Sequence, residues 1–194
     1  MHCESHLING VSYPGFTHLF SKLATDPVLF DLANYRISDS IHGDLICDNM
    51  VYSRSKDSLV LLDPVPHNNF FNGPVFDFGK LSQSLQIGYE LLLRDTSPVE
   101  AEIINGTCII TFTDPRTVAY EELWMHVQDE LAPRYLTESE LRTVNFIGAT
   151  NYFRRMKHQV VQCPQNALKF YAQGIRYLSE YLNFFDLDKE VYDE

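Results

Sequence analysis

The spacing of apolar residues divides the chain into a mixed opening, a β-textured middle and a long helical remainder. In residues 1 to 40, Phe16, Leu19, Phe20 and Leu23 recur at helical intervals until Asp26-Pro27 breaks the pattern, which predicts one or two short helices. Met50-Val51-Tyr52 and Leu59-Val60-Leu61-Leu62 are short apolar runs around a polar stretch, Ser53 to Ser58, the signature of a β-hairpin. A loop rich in turn formers follows (Pro64, Pro66, Asn68, Asn69, Gly73, Pro74), and Asp77 then opens a helical pattern through Leu81, Leu85, Tyr89 and Leu92. Around Asn105-Gly106, residues Ile103 to Phe112 predict a second hairpin. Beyond it Pro115 fits the first turn of a helix reaching Leu131, and Thr137-x-x-Glu140 is a capping box for a helix to about Val161. Pro164 opens a last helix with Leu168, Tyr171, Ile175, Leu178 and Leu182 as its stripe. The expected architecture is α+β, predominantly α-helical, in one domain over residues 1–194.

Composition narrows the function classes. With Lys+Arg 15 against Asp+Glu 26, the net charge is 15 − 26 = −11, which gives no counterion-release term to drive nucleic-acid binding. Hydrophobic residues at 45% with 21% charged place the chain among folding globular proteins. Cys3, Cys47, Cys108 and Cys163 are far apart and form no C-x-x-C pair, so they read as isolated thiols and not as a zinc site or disulfide framework. No basic-then-apolar leader and no window near the ~18 apolar residues of a membrane span is found, so a cytoplasmic setting without membrane contact is expected. The acidic balance does not select a substrate, because much of it is scattered over predicted helices.

The chemistry-bearing segment is His42-Gly43-Asp44-Leu45-Ile46-Cys47-Asp48-Asn49, followed by the first hairpin and Leu61-Leu62-Asp63-Pro64. A carboxylate and a carboxamide five residues apart on one loop, with a second carboxylate at the end of the next strand pair, can converge on one point. Phosphoryl transfer needs such an arrangement. Mg²⁺ takes oxygen ligands and usually one or two protein carboxylates beside phosphate and water, so Asn49 and Asp63 would supply oxygens to it. Asp44 would orient the acceptor hydroxyl and accept its proton, and Gly43 leaves room for the tight loop.

These residues resemble the kinase-like superfamily of small-molecule phosphotransferases typified by aminoglycoside phosphotransferases and choline-kinase-like enzymes. His42, Gly43 and Asp44, with Asn49 five positions after the Asp, match that family's catalytic loop. Asp63 matches the metal-binding Asp closing its hydrophobic strand, and Gly73-Pro74-Val75-Phe76-Asp77 matches a later G-x-x-x-D element. The resemblance implies the C-terminal lobe of a protein-kinase-like fold, with the catalytic loop and metal hairpin in 41–77 and a helical remainder in 78–185. It also implies ATP or another nucleoside triphosphate with Mg²⁺, and a hydroxyl acceptor such as a sugar, an aminoglycoside or an amino alcohol. The 41 residues before His42 hold no G-x-G-x-x-G and no strand Lys. The N-terminal nucleotide-binding lobe is therefore expected to be absent here and supplied by the full-length protein or another chain. A catalytically inactive binding or scaffold module is the competing reading.

Several neighbours carry two readings. Asp77-Phe78-Gly79 spells a protein-kinase metal motif, yet Asp77 lies 28 residues after Asn49 whereas Asp63 lies 14 after it, at a strand end. Asp77 is instead expected at a helix N-cap, bracing the catalytic loop as its family counterpart is thought to do, with Gly73 shaping the approach. His42 reads as a loop brace in preference to a proton shuttle, and Asp48 as a solvated or turn-capping residue in preference to a third ligand. His67, Asn68 and Asn69 lie where substrate or phosphate would approach, although turn chemistry alone explains the asparagines. The basic group Arg154, Arg155, Lys157 and His158 reads as a solvated helix face.

Overall fold

The computed structural model describes residues 3–25, 35–38, 40–65 and 72–192. In chain order the elements are β1 (Ser5–Ile8), β2 (Val11–Pro14), α1 (Phe16–Thr25), β3 (Met50–Ser53), β4 (Ser58–Leu61), α2 (Pro74–Leu85), α3 (Tyr89–Arg94), β5 (Val99–Ile104), β6 (Thr107–Phe112), α4 (Val118–His126), α5 (Glu138–Gln162) and α6 (Pro164–Tyr192). The architecture is α+β and mostly helical, as the apolar spacing predicts. Contacts group the chain into two compact units: residues 1–30, 92–115 and 149–194 in the first, 31–91 and 116–148 in the second.

The first unit is built on a four-stranded sheet of order β2-β1-β6-β5. Two Asn-Gly turns shape it. Asn105 and Gly106, with φ 47° and 81°, close the expected β5–β6 hairpin. Asn9 and Gly10, with φ 49° and 83°, close a β1–β2 hairpin that the apolar spacing does not show. Two successive left-handed residues match the twist of a two-residue hairpin, and Asn-Gly reaches that conformation at least cost. Strand β1 joins β6 in parallel, from Ser5 opposite Thr107 to Ile8 opposite Ile110. The expected stripe of α6 is largely core, with Ile175, Leu178 and Leu182 buried, while Leu168 is exposed.

Two buried basic side chains in this unit, His6 and Lys169, are paired within it. His6 is buried. Its Nδ1–H donates to the Pro14 carbonyl at 3.0 Å, so its Nε2 accepts from the Tyr171 hydroxyl at 2.7 Å. Burial lowers its pKa and keeps the ring neutral. Lys169, with no side-chain exposure, donates to Asp95 Oδ2 and to the Ser97 carbonyl, each at 2.7 Å.

The second unit buries Val75, Leu81, Leu85, Trp124, Val127, Leu136 and Val144, with Tyr35, Phe76 and Phe78 against them. Helix α2 differs from expectation at both ends. It starts with Gly73 as N-cap and Pro74 at the first helical position, so Asp77 lies one turn inside the helix and is not its N-cap. The fixed φ of Pro suits that first position, and its missing N–H costs nothing there. The pattern extended to Leu92 is interrupted at Gly88, whose φ of 66° separates α2 from α3. Pro115 precedes α4, whose N-cap is Thr117, and the chain reaches Leu131 through a wider turn, Val127–Leu131. The capping box forms: the Thr137 N–H donates to Glu140 Oε2 at 2.8 Å and the Glu140 N–H to Thr137 Oγ1 at 3.3 Å.

The Gly79 of the Asp77-Phe78-Gly79 triplet is a packing residue. A Cβ there would come within 2.5 Å of Ile147 Cγ2. Among the described residues, no helix is long and apolar enough to cross a membrane.

Candidate active site

The loop from His42 to Asn49 is held by helix side chains along its length. At its head, Asp77 accepts the His42 N–H on Oδ2 and the Gly43 N–H on Oδ1, both at 2.7 Å. Each carboxylate oxygen thus takes one main-chain donor, which fixes the loop where it turns. Gly43 has φ 79°, a conformation that favours glycine, and a Cβ on it would press on Val65 Cβ at 3.1 Å. Further along, the Cys47 N–H donates to Ser84 Oγ at 3.0 Å and to Glu90 Oε1 at 3.1 Å, and Ser84 Oγ itself donates to Glu90. Burial first, then the nearby Glu90 carboxylate, pushes the Cys47 thiol up to about 11, so it stays a protonated packing group.

Gly73 makes room of a different kind. A Cβ there would fall 2.5 Å from the Arg36 carbonyl and 2.6 Å from the Tyr35 ring. The segment passing at that point is secured by Glu140, which accepts the Arg36 N–H at 3.0 Å and its Nε–H at 3.1 Å. Burial opposes ionisation of Glu140, but the donors of Thr137 and Arg36 outweigh it and hold the carboxyl at about 2.

Asn49 faces back along the loop. Its Nδ2 donates to the Asp44 carbonyl at 2.8 Å and reaches Asp44 Oδ2 at 3.3 Å. With the amide nitrogen so committed, Oδ1 is the atom left to meet a cation. The hairpin β3–β4 is joined to the same loop through main chain. The Leu62 N–H donates to the Asn49 carbonyl and the Val65 N–H to the His42 carbonyl, both at 2.8 Å. Asp63 lies between these two attachments. Its side chain is exposed and its φ is 52°, a left-handed conformation that costs a non-glycine residue about 1–2 kcal/mol. Such strain persists where surrounding bonds impose it and clusters at functional sites.

The structure therefore brings Asp44 and Asn49 into hydrogen-bond contact and anchors the backbone on both sides of Asp63 to the same loop. It gives Asp77 both oxygens to the loop main chain. His42 is buried; its Nδ1 lies 3.4 Å from the Asp44 N–H, and its Nε2 has no hydrogen-bond partner among the described residues. Asp48 is exposed in a short turn, Cys47–Asn49. His67, Asn68 and Asn69 lie outside the described residues. Arg154, Lys157 and His158 are exposed on α5, as expected of a solvated face, whereas Arg155 departs from that expectation and is half-buried.

Three loop partners are missing from the sequence reading: Ser84, Glu90 and Lys80. The Nζ of Lys80 pairs with Asp44 Oδ1 at 2.9 Å. Its spacing from Asp77, three residues on one helix, is the signal that would have found it.

The donor set fits a hard divalent cation, because Asn49 Oδ1 and the Asp63 carboxylate are oxygens with no partner among the described residues. Those residues contain no cluster of three or more His, Cys, Asp or Glu side chains able to hold a metal. A Mg²⁺ shared with phosphates asks for only one or two protein carboxylates. No family model, curated protein or solved structure matches the chain.

Proposed function

We propose that the loop and hairpin form the phosphoryl-transfer site of an ATP-dependent small-molecule kinase, in the manner of the C-terminal lobe of a kinase-like phosphotransferase. The observation that carries this reading is the joint tethering of one loop. Asp77 fixes its head, Asn49 closes on Asp44, and main-chain bonds from Leu62 and Val65 hold Asp63 alongside.

Each side chain has a distinct task. Asp44 orients the acceptor hydroxyl and accepts its proton as the acceptor oxygen bonds to the γ-phosphorus. The bond from that phosphorus to the nucleoside diphosphate breaks, and its electron pair leaves with the diphosphate. Asn49 Oδ1 and Asp63 would hold Mg²⁺, which when bound neutralises charge on the phosphate oxygens. Asp77 preserves the loop geometry, and such positioning supplies most of what this reaction requires.

The hairpin supports a partner lobe. Val51, Tyr52, Leu59, Val60, Leu61 and Leu62 are all exposed. Two strands are marginal by themselves, and exposed apolar residues so concentrated suit a covering surface. A nucleotide-binding lobe, from the full-length protein or another chain, would take that place and complete the triphosphate site. The chain alone is then expected to bind Mg·ATP weakly and turn over little.

Calorimetric titration of Mg·ATP into the wild type and Asp63→Ala tests the reading. A Mg²⁺-dependent heat present in the wild type and lost in the variant is expected. Equal heats would remove Asp63 from the metal site.

A further inference from the structure

Lys80 is a cation that meets the loop directly, at the Asp44 carboxylate. Arg36 is tied to Glu140. Lys80 stands one turn beyond Asp77 on α2, so two side chains of one helix face reach the loop together: Asp77 grips its main chain, and Lys80 contacts the Asp44 carboxylate at 2.9 Å. The pair is partly open to solvent, with side-chain exposure of 19% for Lys80 and 31% for Asp44. Ion pairs of that kind contribute about 0–1 kcal/mol, so stability gives little reason for the arrangement. The other two N–H donors of Lys80 have no partner among the described residues.

Electrostatics gives a stronger reason. Asp44 has to remain ionised to accept a proton, yet the γ-phosphoryl that must approach it is also an anion, and the two repel. Asn49 and Asp63 would act on the phosphates by holding the metal. Lys80 places positive charge against the base.

We propose that Lys80 is the acceptor-side phosphoryl clamp of this site, an inference that rests on the phosphotransferase reading. Before nucleotide binds, its ammonium pairs with Asp44. With nucleotide bound, its remaining donors contact the γ-phosphoryl oxygens, so that one cation bridges the base and the group being transferred. As the acceptor oxygen bonds to phosphorus and its proton passes to Asp44, the bridging oxygen departs with the diphosphate. Lys80 stays with the transferred phosphoryl, where a fixed cation acts on the charge that the reaction moves. The ligand feature it recognises is the terminal phosphoryl of a nucleoside triphosphate, which the diphosphate lacks.

That distinction provides the test. Mg·ATP and Mg·ADP are titrated calorimetrically into the full 194-residue chain and into its Lys80→Met and Lys80→Arg variants, with far-UV circular dichroism verifying the fold of each. The wild type should hold Mg·ATP more tightly than Mg·ADP. Lys80→Met should weaken Mg·ATP roughly 10- to 100-fold, the effect of losing one hydrogen bond to a charged group, and leave Mg·ADP within about twofold. Lys80→Arg should retain the preference. An unchanged preference in Lys80→Met, or an equal loss for both nucleotides, overturns the clamp while leaving the phosphotransferase reading in place. A wild type with no Mg²⁺-dependent binding of either nucleotide overturns that reading and the clamp with it.

Discussion

The two sheets of this protein differ in how much of their apolar surface they bury. In the four-stranded sheet unit, His6, Lys169 and Asp95 are paired within the unit, and Ile8, Ile110 and Phe112 are buried. The two-stranded β3–β4 hairpin leaves five apolar residues exposed, with Leu62 a sixth just beyond it, and is followed by Asp63, an exposed carboxylate on a left-handed backbone. The first region is organised for its own stability. The second is held in place by bonds to a neighbouring loop while its side chains remain available, as expected of a site completed by ligand or partner.

Mutations should separate the two regions. Lys169→Met strands Asp95, whose side chain is only 13% exposed, and breaking such a pair should cost about 3–5 kcal/mol in urea unfolding. Asp77→Ala should come next. It leaves two loop N–H groups without their acceptor, a loss of about 2–4 kcal/mol that hydrogen exchange should localise to residues 42–49. Should Asp77→Ala leave exchange in that loop unchanged, the brace is not what orders it.

Smaller effects sharpen the contrast. Gly43→Ala forces a side chain into φ 79° against Val65 and should destabilise by about 1–3 kcal/mol while weakening Mg·ATP binding. Glu140→Gln should cost roughly 1–3 kcal/mol. Because the folded-state pKa of Glu140 is depressed to about 2, its contribution is fully present above the ordinary carboxylate value of 4.5. It is lost as pH falls toward 2, so wild type and variant should converge in stability under acid. Asp95, also depressed, loses its contribution in the same direction. Leu59→Thr on the exposed hairpin should change stability by no more than about 0.5 kcal/mol, since that residue is 58% exposed in this chain. A larger loss would mean the hairpin is part of the core.

Local signals were legible where the structure they specify is local. Asn105-Gly106 joins two strands adjacent in sequence, and Thr137 with Glu140 closes a cap within one turn. Asn9-Gly10 has the same turn chemistry, but its strands are four residues each, and β1 reaches its second partner about a hundred residues away, so no periodicity announces it. The helix break at Gly88 was hidden because Tyr89 and Leu92 continue the apolar interval across it. In the site, the residue types of Asp44, Asn49 and Asp63 suggest their chemistry by spacing alone. The roles of Ser84 and Glu90 depend on how α2 and α3 lie against the loop, which spacing does not encode. Asp77 shows the mixed case: a brace was foreseen for it, while its place one turn inside the helix follows from Gly73-Pro74 starting α2 early.

The most direct test of the central claim measures the metal itself. Free Mn²⁺, substituting for Mg²⁺ in the presence of ATP, can be followed by electron paramagnetic resonance as the chain is added. The account predicts that the wild type depletes the free signal and that a folded Asn49→Ala, Asp63→Ala double variant does not. Equal depletion by both proteins would contradict it.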